Sequence, residues 1–337
     1  MRGGQDDGMP RAIDITQGSL LLHSRDDILR SSTERELRAW VATGDLKRVH
    51  RGWYVHDADW RDLWNEGRHL LEVLAAARSS TGAGLIFCGA SAAVLWGLPL
   101  HRLAPKRVHV LITGARHGRT KGTMMHHSVE TRADEIVEIG SIRCTSLDRT
   151  VIDIACSSSP EAALSCADAA LRREAVQGQR QNEALANAWH ARVGARAATM
   201  TVRGVRQARD LLAFADGRAQ LPGESISRLH LRSLGFDDIR LQSKVVGVAG
   251  EEYWLDFAFP SLRVFGEFDG RAKYVDDRLR GTRTAETVVL DEKRREDNIR
   301  GVTGWRVVRW GWEDIASADA LGARLAAFGV RPGAAPW

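Results

Sequence analysis

The 337-residue sequence predicts an α/β protein in several parts, on three observations. A helix, a glycine and a basic hairpin follow one another near the N-terminus. After Gly235 the apolar spacing changes from the helical period to strict alternation. The length exceeds the roughly 100–150 residues of one typical domain. Composition is that of a soluble protein, with 48 Lys and Arg against 43 Asp and Glu, a net charge of +5 that alone says little about partners. No run of about 18 apolar residues and no hydrophobic leader is visible, so membrane and export readings fall away. Cys88, Cys144, Cys156 and Cys166 lack Cys-x-x-Cys spacing and read as reduced core residues of a cytoplasmic protein rather than as zinc ligands.

The expected parts are a disordered tail (1–12), a helical and hairpin domain (13–60), an α/β middle domain (61–172), a helical connector (173–220) and a last domain (221–330). Gly3, Gly4, Gly8 and Pro10 mark the tail. In the first domain Thr33 and Glu36 have capping-box spacing, Leu37, Trp40 and Val41 form an apolar stripe, and Gly44 ends the helix. Leu46 to Val55 then reads as strand, turn, strand. Helix, glycine and basic hairpin is the plan of a winged helix, with Arg35 and Arg38 on the outer face of the recognition helix and Lys47, Arg48 and Arg51 near the wing, all directed to DNA. A small helical domain with a solvated charged face accounts for the same pattern.

In the middle domain, helices are expected near Leu63–Arg78 and Ser91–Trp96, after Ser146 and after Pro160, with a strand at Arg107–Thr113. Arg149 and Asp153 are four apart and suit an intrahelical ion pair. His126-His127 reads as a surface or strand-edge pair. The connector is rich in Ala, Arg and Gln and carries no motif. Pro222 then opens a helix that Gly235 closes, and strands follow at Ile239–Val246, Glu252–Phe259, Arg263–Asp269 and Trp305–Trp310. A helix around Asp291–Arg300 and another from Trp312 to Phe328 complete the order α, β, β, β, α, β, α.

The chemistry concentrates between Trp254 and Tyr274. Glu267 and Asp269 are two apart in a strand and share a face. Asp256 alternates with Leu255, Phe257 and Phe259 and is expected to face away from all three. Carboxylates gathered on an apolar sheet call for a cation, and a hard divalent ion, magnesium or manganese, takes such ligands. From Arg271 to Trp310 there are eleven Lys and Arg against seven Asp and Glu, a basic excess suited to drawing a polyanion past the acids.

Two resemblances attach to these motifs. Leu46–Val55, the run Cys88-Gly-Ala-Ser-Ala-Ala-Val-Leu-Trp-Gly-Leu-Pro-Leu and the segment from Arg143 to Ala155 resemble AbiEi-type antitoxins, bacterial winged-helix proteins that bind their own promoters. That likeness implies DNA binding and a cognate toxin, and leaves a homodimer open. Glu224, Asp256, Glu267-Phe-Asp269-Gly270 and Gly304-Trp-Arg-Val-Val-Arg resemble the very-short-patch-repair-like (Vsr-like) branch of the PD-(D/E)XK nuclease superfamily. It implies a restriction-endonuclease-like αβββαβ core and a metal-dependent endonuclease. Asp256, Glu267, Asp269 and Glu224 would be its metal ligands, and Asp269 stands where the superfamily usually has lysine. Lys273, or else Lys293, would then supply the positive charge, and Arg294 and Arg295 would contact phosphate. The alternative is an antitoxin-like regulator whose nuclease fold is catalytically silent. Each residue also has a plainer role. Glu224 would favour a helix macrodipole, Asp256 and Glu267 would pair with Arg294 or Arg295, and Asp269-Gly270 would make a turn.

Overall fold

Capping and turn chemistry set the first elements. The computed structural model describes residues 10–80, 84–112, 122–270 and 285–333. Helix α1 (Ile15–Leu21) opens on an Asp14/Gln17 capping box, strand β1 (His23–Ser24) follows, and α2 (Arg25–Leu29) takes Ser24 as its cap. Helix α3 (Glu34–Thr43) begins with the expected box, Thr33 N–H donating to Glu36 Oε2 at 2.7 Å and Glu36 N–H to Thr33 Oγ1 at 3.3 Å. Gly44 ends it at φ 86°, a left-handed conformation that glycine adopts without steric cost. Strands β2 (Leu46–His50) and β3 (Trp53–His56) complete an antiparallel sheet in the order β1-β3-β2. Leu37, Leu46 and Tyr54 form its small core with Ile28, Leu29 and Trp40 against them.

Helices α4 (Asp57–Arg61) and α5 (Asn65–Ser79) lead into β4 (Ile86–Phe87), α6 (Gly89–Leu95), β5 (Val108–Leu111), β6 (Met124–His127), β7 (Ile136–Ile139) and β8 (Ile142–Thr145). These strands form a mixed sheet in the order β6-β5-β4-β8-β7. His126 and His127 therefore lie on an edge strand, as expected. Helices α7 (Leu147–Ser157) and α8 (Pro160–Ala175) follow.

Arg149 is the polar centre of this part of the chain. Its side chain is only 1% exposed, and it donates to Asp153 at 2.8 Å, Glu135 at 2.7 Å and the Glu130 carbonyl at 2.7 Å. The expected pair with Asp153 is present, enlarged by Glu135 from a distant segment and by Arg196, which reaches Glu135 at 2.5 Å.

The hairpin β9 (Val176–Gln177) and β10 (Arg180–Gln181) precedes α9 (Glu183–Thr199) and α10 (Val205–Phe214), so the expected connector is helical. Two compact units interleave there. One comprises Met1–Cys166 with Ala195–Arg209, the other Ala167–Gly194 with Asp210–Trp337. The second contains α11 (Pro222–Ser233), β11 (Arg240–Val246), β12 (Glu252–Phe259), β13 (Val264–Phe268), α12 (Ala285–Thr303), β14 (Arg306–Trp310) and α13 (Ala318–Ala327). The α, β, β, β, α, β, α order is as expected. The sheet runs β11-β12-β13-β14, antiparallel except for the parallel β13/β14 pair.

A core lies on each face of this sheet. One gathers Phe257, Phe259, Val264, Phe268, Val308 and Trp310 with residues of α11 and α13, and the other gathers Val245, Leu255, Ala258 and Phe265 with Ile299 of α12. Close approach is built in by glycine. A Cβ on Gly223 would lie 2.1 Å from the Phe268 ring, and one on Gly266 would lie 2.4 Å from the Trp310 ring. Helix α11 therefore sits against β13 more closely than any side chain would allow.

Removing Arg149 takes the arginine from Asp153 and leaves Glu135 to Arg196, in a buried setting. Arg149→Leu is expected to lower stability by about 3–5 kcal/mol in urea unfolding of the full chain, and a loss under about 1 kcal/mol would contradict the central place given to this residue. Gly223→Ala is expected to cost about 1–3 kcal/mol through overpacking on Phe268, read as a lower melting temperature.

Candidate functional site

The β12/β13 ladder pairs Phe259 with Val264, Ala258 with Phe265 and Phe257 with Gly266, and stops there. The next positions on the two strands are Asp256 and Glu267. Instead of continuing the ladder, Asp256 turns its carboxylate to the partner backbone, and Oδ2 accepts the Phe268 N–H at 2.9 Å.

On its other side Asp256 faces Gln242, which lies between the paired positions Leu241↔Phe257 and Ser243↔Leu255. Gln242 has φ 46°, a left-handed backbone rare for a residue with a side chain. Alternate burial slips at this point. Leu241 and Phe257 pack into one core, while Leu255 packs into the other. The expectation that Asp256 faces away from Leu255, Phe257 and Phe259 alike is thus corrected: those three do not share a face, because a left-handed residue in the neighbouring strand twists the hairpin between them.

Gln242 joins two carboxylates. Its Nε2 lies 3.3 Å from Glu224 Oε2 and 3.4 Å from Asp256 Oδ1. Glu224, in the first turn of α11, is 3% exposed, and its Oε2 also accepts the Gln220 N–H at 2.9 Å. The glycine beside it in sequence, Gly223, is the one that brings α11 onto β13. Helix packing and a strained strand residue together place Glu224 and Asp256 at one nitrogen.

Glu267 goes elsewhere. It lies on the face of Phe265, against α12, where Oε1 accepts from Arg295 at 2.6 Å and Oε2 from Arg309 at 3.0 Å. Arg295 also holds Glu292 at 3.0 Å, and Arg309 holds Glu296 at 2.9 Å and Glu292 as well. Burial alone would raise the Glu267 pKa, but the hydrogen bonds and charges of Arg295 and Arg309 outweigh it and hold the carboxyl below its ordinary value. Among the described residues no three His, Cys, Asp or Glu side chains gather closely enough to hold one ion. The four acids expected together are thus divided, Glu224 and Asp256 at one point and Glu267 at another, because Arg309 stands directly beside Glu267 in the parallel register of β13 and β14.

Asp269 follows β13 half-buried, its N–H donating to the Trp310 carbonyl at 2.8 Å. Lys273 lies outside the described residues. On α12, Lys293 and Arg294 are exposed, whereas Arg295 is committed to Glu267 and Glu292. In the first unit Arg35 and Arg38 are exposed on α3, Lys47 and Arg48 on β2, and Arg51 in the turn that follows. Arg38 approaches Glu34 at 3.9 Å, and the Lys47 ammonium stands 4.9 Å from the Trp60 ring centre.

A polar chain in the first unit carried no readable motif. His69 Nδ1 lies 3.1 Å from Glu72 and Nε2 2.9 Å from Ser91 Oγ, the connectivity of a nucleophilic triad. Ser91, however, is wholly buried, its Oγ takes the His109 N–H at 2.8 Å, and its own N–H goes to the Cys88 carbonyl. The chain ties α5, α6 and β5 together and offers a substrate no approach. Beyond it His127 Nε2 lies 3.2 Å from His109 Nδ1. Burial, then the neighbouring His127 and His69, push the His109 pKa down to about 4. The unfolded chain takes up this proton near pH 6.5 and the folded one only near pH 4, so stability falls as pH drops through that window. His109→Gln is expected to flatten this part of the urea midpoint against pH profile, and an unchanged slope would contradict the assignment.

For Glu267→Gln, loss of the carboxylate charge between two arginines is expected to cost about 1.5–3 kcal/mol, and to remove part of the acid sensitivity below the ordinary glutamate range. The sign follows from its depressed pKa: the stabilisation is present above the unfolded value and lost as pH falls through the folded one.

No protein-family model matches the chain. It is similar to the uncharacterized proteins MT2308 and Rv2248 from two strains of Mycobacterium tuberculosis, at 30% identity over 277 residues, which covers 78% of this chain and 93% of each relative. The chain belongs to the family of these mycobacterial proteins.

Proposed function

We propose that the protein is a divalent-metal-dependent endonuclease-like enzyme acting on DNA, recruited by its N-terminal unit. The observation that carries the reading is the meeting of Glu224 and Asp256 at the Gln242 amide, where the ladder between β12 and β13 opens. Magnesium commonly uses one or two carboxylates and keeps several waters, so this pair suits it or manganese, and Glu267 in its arginine pairing does not join them. A cation held there would supply Lewis acidity toward a phosphodiester. The protein's own groups do the positioning. The Phe268 N–H fixes Asp256, the Gln220 N–H fixes Glu224, and Gln242 holds both in register. Exposed Lys293 and Arg294 favour the approach of a polyanion, a task better suited to Arg294 than to the committed Arg295.

Support for DNA as the target comes from the first unit. The order α1, β1, α2, α3, β2, β3 with sheet order β1-β3-β2 agrees with a winged helix. In that reading α3 presents Arg35 and Arg38 to the major groove, and Lys47, Arg48 and Arg51 flank the wing. A second reading, a regulator resembling AbiEi-type antitoxins with a silent nuclease fold, is favoured by one specific observation: Glu267 is already neutralised by two arginines.

Supercoiled plasmid incubated with the full chain and magnesium or manganese tests the first reading. Nicking is expected, with Asp256→Asn at least about 100-fold slower. Equal behaviour of wild type and Asp256→Asn, together with retention of the protein's own promoter fragment in a gel, would replace it with the second. Replacing Lys47, Arg48 and Arg51 by Ala is expected to weaken DNA binding and to shallow its salt dependence by about 0.9 per lost phosphate contact; an unchanged slope would remove the hairpin from the interface.

A further inference from the structure

The first unit contains a cavity of about 390 Å³ between α2, α3 and the three-stranded sheet, a size that suits a small ligand. Trp40, Ile28 and Leu46 give it an apolar side, and Asp27, Asp45, His23 and His56 give it a polar one. No lysine or arginine lines it. Ser24 Oγ donates to Asp27 Oδ2 at 2.6 Å and Thr43 Oγ1 to Asp45 Oδ2 at 2.6 Å, while Arg30 meets the other oxygen of Asp27 at 3.2 Å. The rings of His23 and His56 meet edge to face, 5.2 Å between centres.

This lining discriminates among ligand classes. An anion would face two carboxylates with no lysine or arginine among the lining residues, and a purely apolar molecule would lie against both acids and take water from them. A single metal ion is too small, since among the described residues no three of these acids and histidines come within ligating range of one point. An extended organic cation meets each requirement: its charged head pairs with carboxylate, its body lies on Ile28 and Leu46, and the indole of Trp40 attracts the charge through its π-face.

We propose that this cavity binds a small organic cation, an ammonium or guanidinium group on a short aliphatic body. Trp40 lies on α3, the helix whose exposed face carries Arg35 and Arg38. An occupant of the cavity would thus be sensed by that helix, a consequence that rests on the DNA-binding reading, whereas the binding site itself does not.

Isothermal titration of the full-length protein with agmatine and with n-butylammonium chloride tests the site, with n-butyrate, n-butanol and zinc chloride as comparisons. Saturable binding of the two amines is expected, with no binding of butyrate or butanol. Affinity should fall at least tenfold in Asp45→Asn and in Trp40→Leu. Ser31→Phe, which fills the cavity from its rim, should abolish binding and keeps the test decisive if the other variants fail to fold. Absence of amine binding, equal affinity in wild type and the folded variants, or zinc binding that depends on His23 and His56 and leaves no amine site would overturn the proposal. Amine binding without any change in affinity for a promoter fragment would keep the site and cut only its link to DNA.

Discussion

The end of pairing between β12 and β13 after Phe257 and Gly266 is the constraint on which the candidate site depends. Had the ladder continued, Asp256 and Glu267 would stand side by side as a cross-strand pair of like charges, an arrangement that destabilises a sheet. The strands instead part, the Phe268 N–H becomes available to Asp256, and Glu267 is free to seek cations on the opposite side. Gln242 meets Asp256 from β11, on the side away from β13. A left-handed backbone at a residue with a side chain costs of order 1–3 kcal/mol, and the amide it aims at Glu224 and Asp256 is the interaction that offsets that strain.

Two charge systems with different jobs follow from this geometry. Glu267, Arg295, Arg309, Glu292 and Glu296 fasten α12 to β13 and β14, and each arginine there serves more than one acid. Such a network resists the removal of any one member, which suits a structural fastening better than a site that must exchange ligands. Glu224 and Asp256 share the neutral Gln242 amide instead, and Arg172 lies close enough to Glu224 to feel its charge. The Arg149 network of the first unit repeats the fastening logic with Glu135, Asp153 and Arg196.

Much of this was legible in the sequence wherever the signal is local. The Thr33 and Glu36 box, the stop at Gly44, the start at Pro222 and the alternation through Phe257 and Phe259 rest on neighbours within one turn or one strand. What escaped depends on distant partners. Arg309 meets Glu267 only through the register of two parallel strands, which no spacing rule supplies. Gln242 carries no mark of its left-handed backbone, since glycine or asparagine is the usual occupant of such a position. The slip it causes moved Leu255 to the other core and defeated simple period-two counting around Asp256. Ser91 and His69 lie far apart in sequence and read as ordinary helix residues until α5 and α6 are brought together.

The most direct measure of the central claim, that Glu224 and Asp256 form the cation pair while Glu267 belongs to a fastening, is electron paramagnetic resonance of manganese titrated into the full chain. Wild type and Glu267→Gln are expected to take up the ion alike, and Asp256→Asn and Glu224→Gln to lose it. No uptake by wild type, or a loss in Glu267→Gln as large as in Asp256→Asn with the fold intact, would contradict the claim.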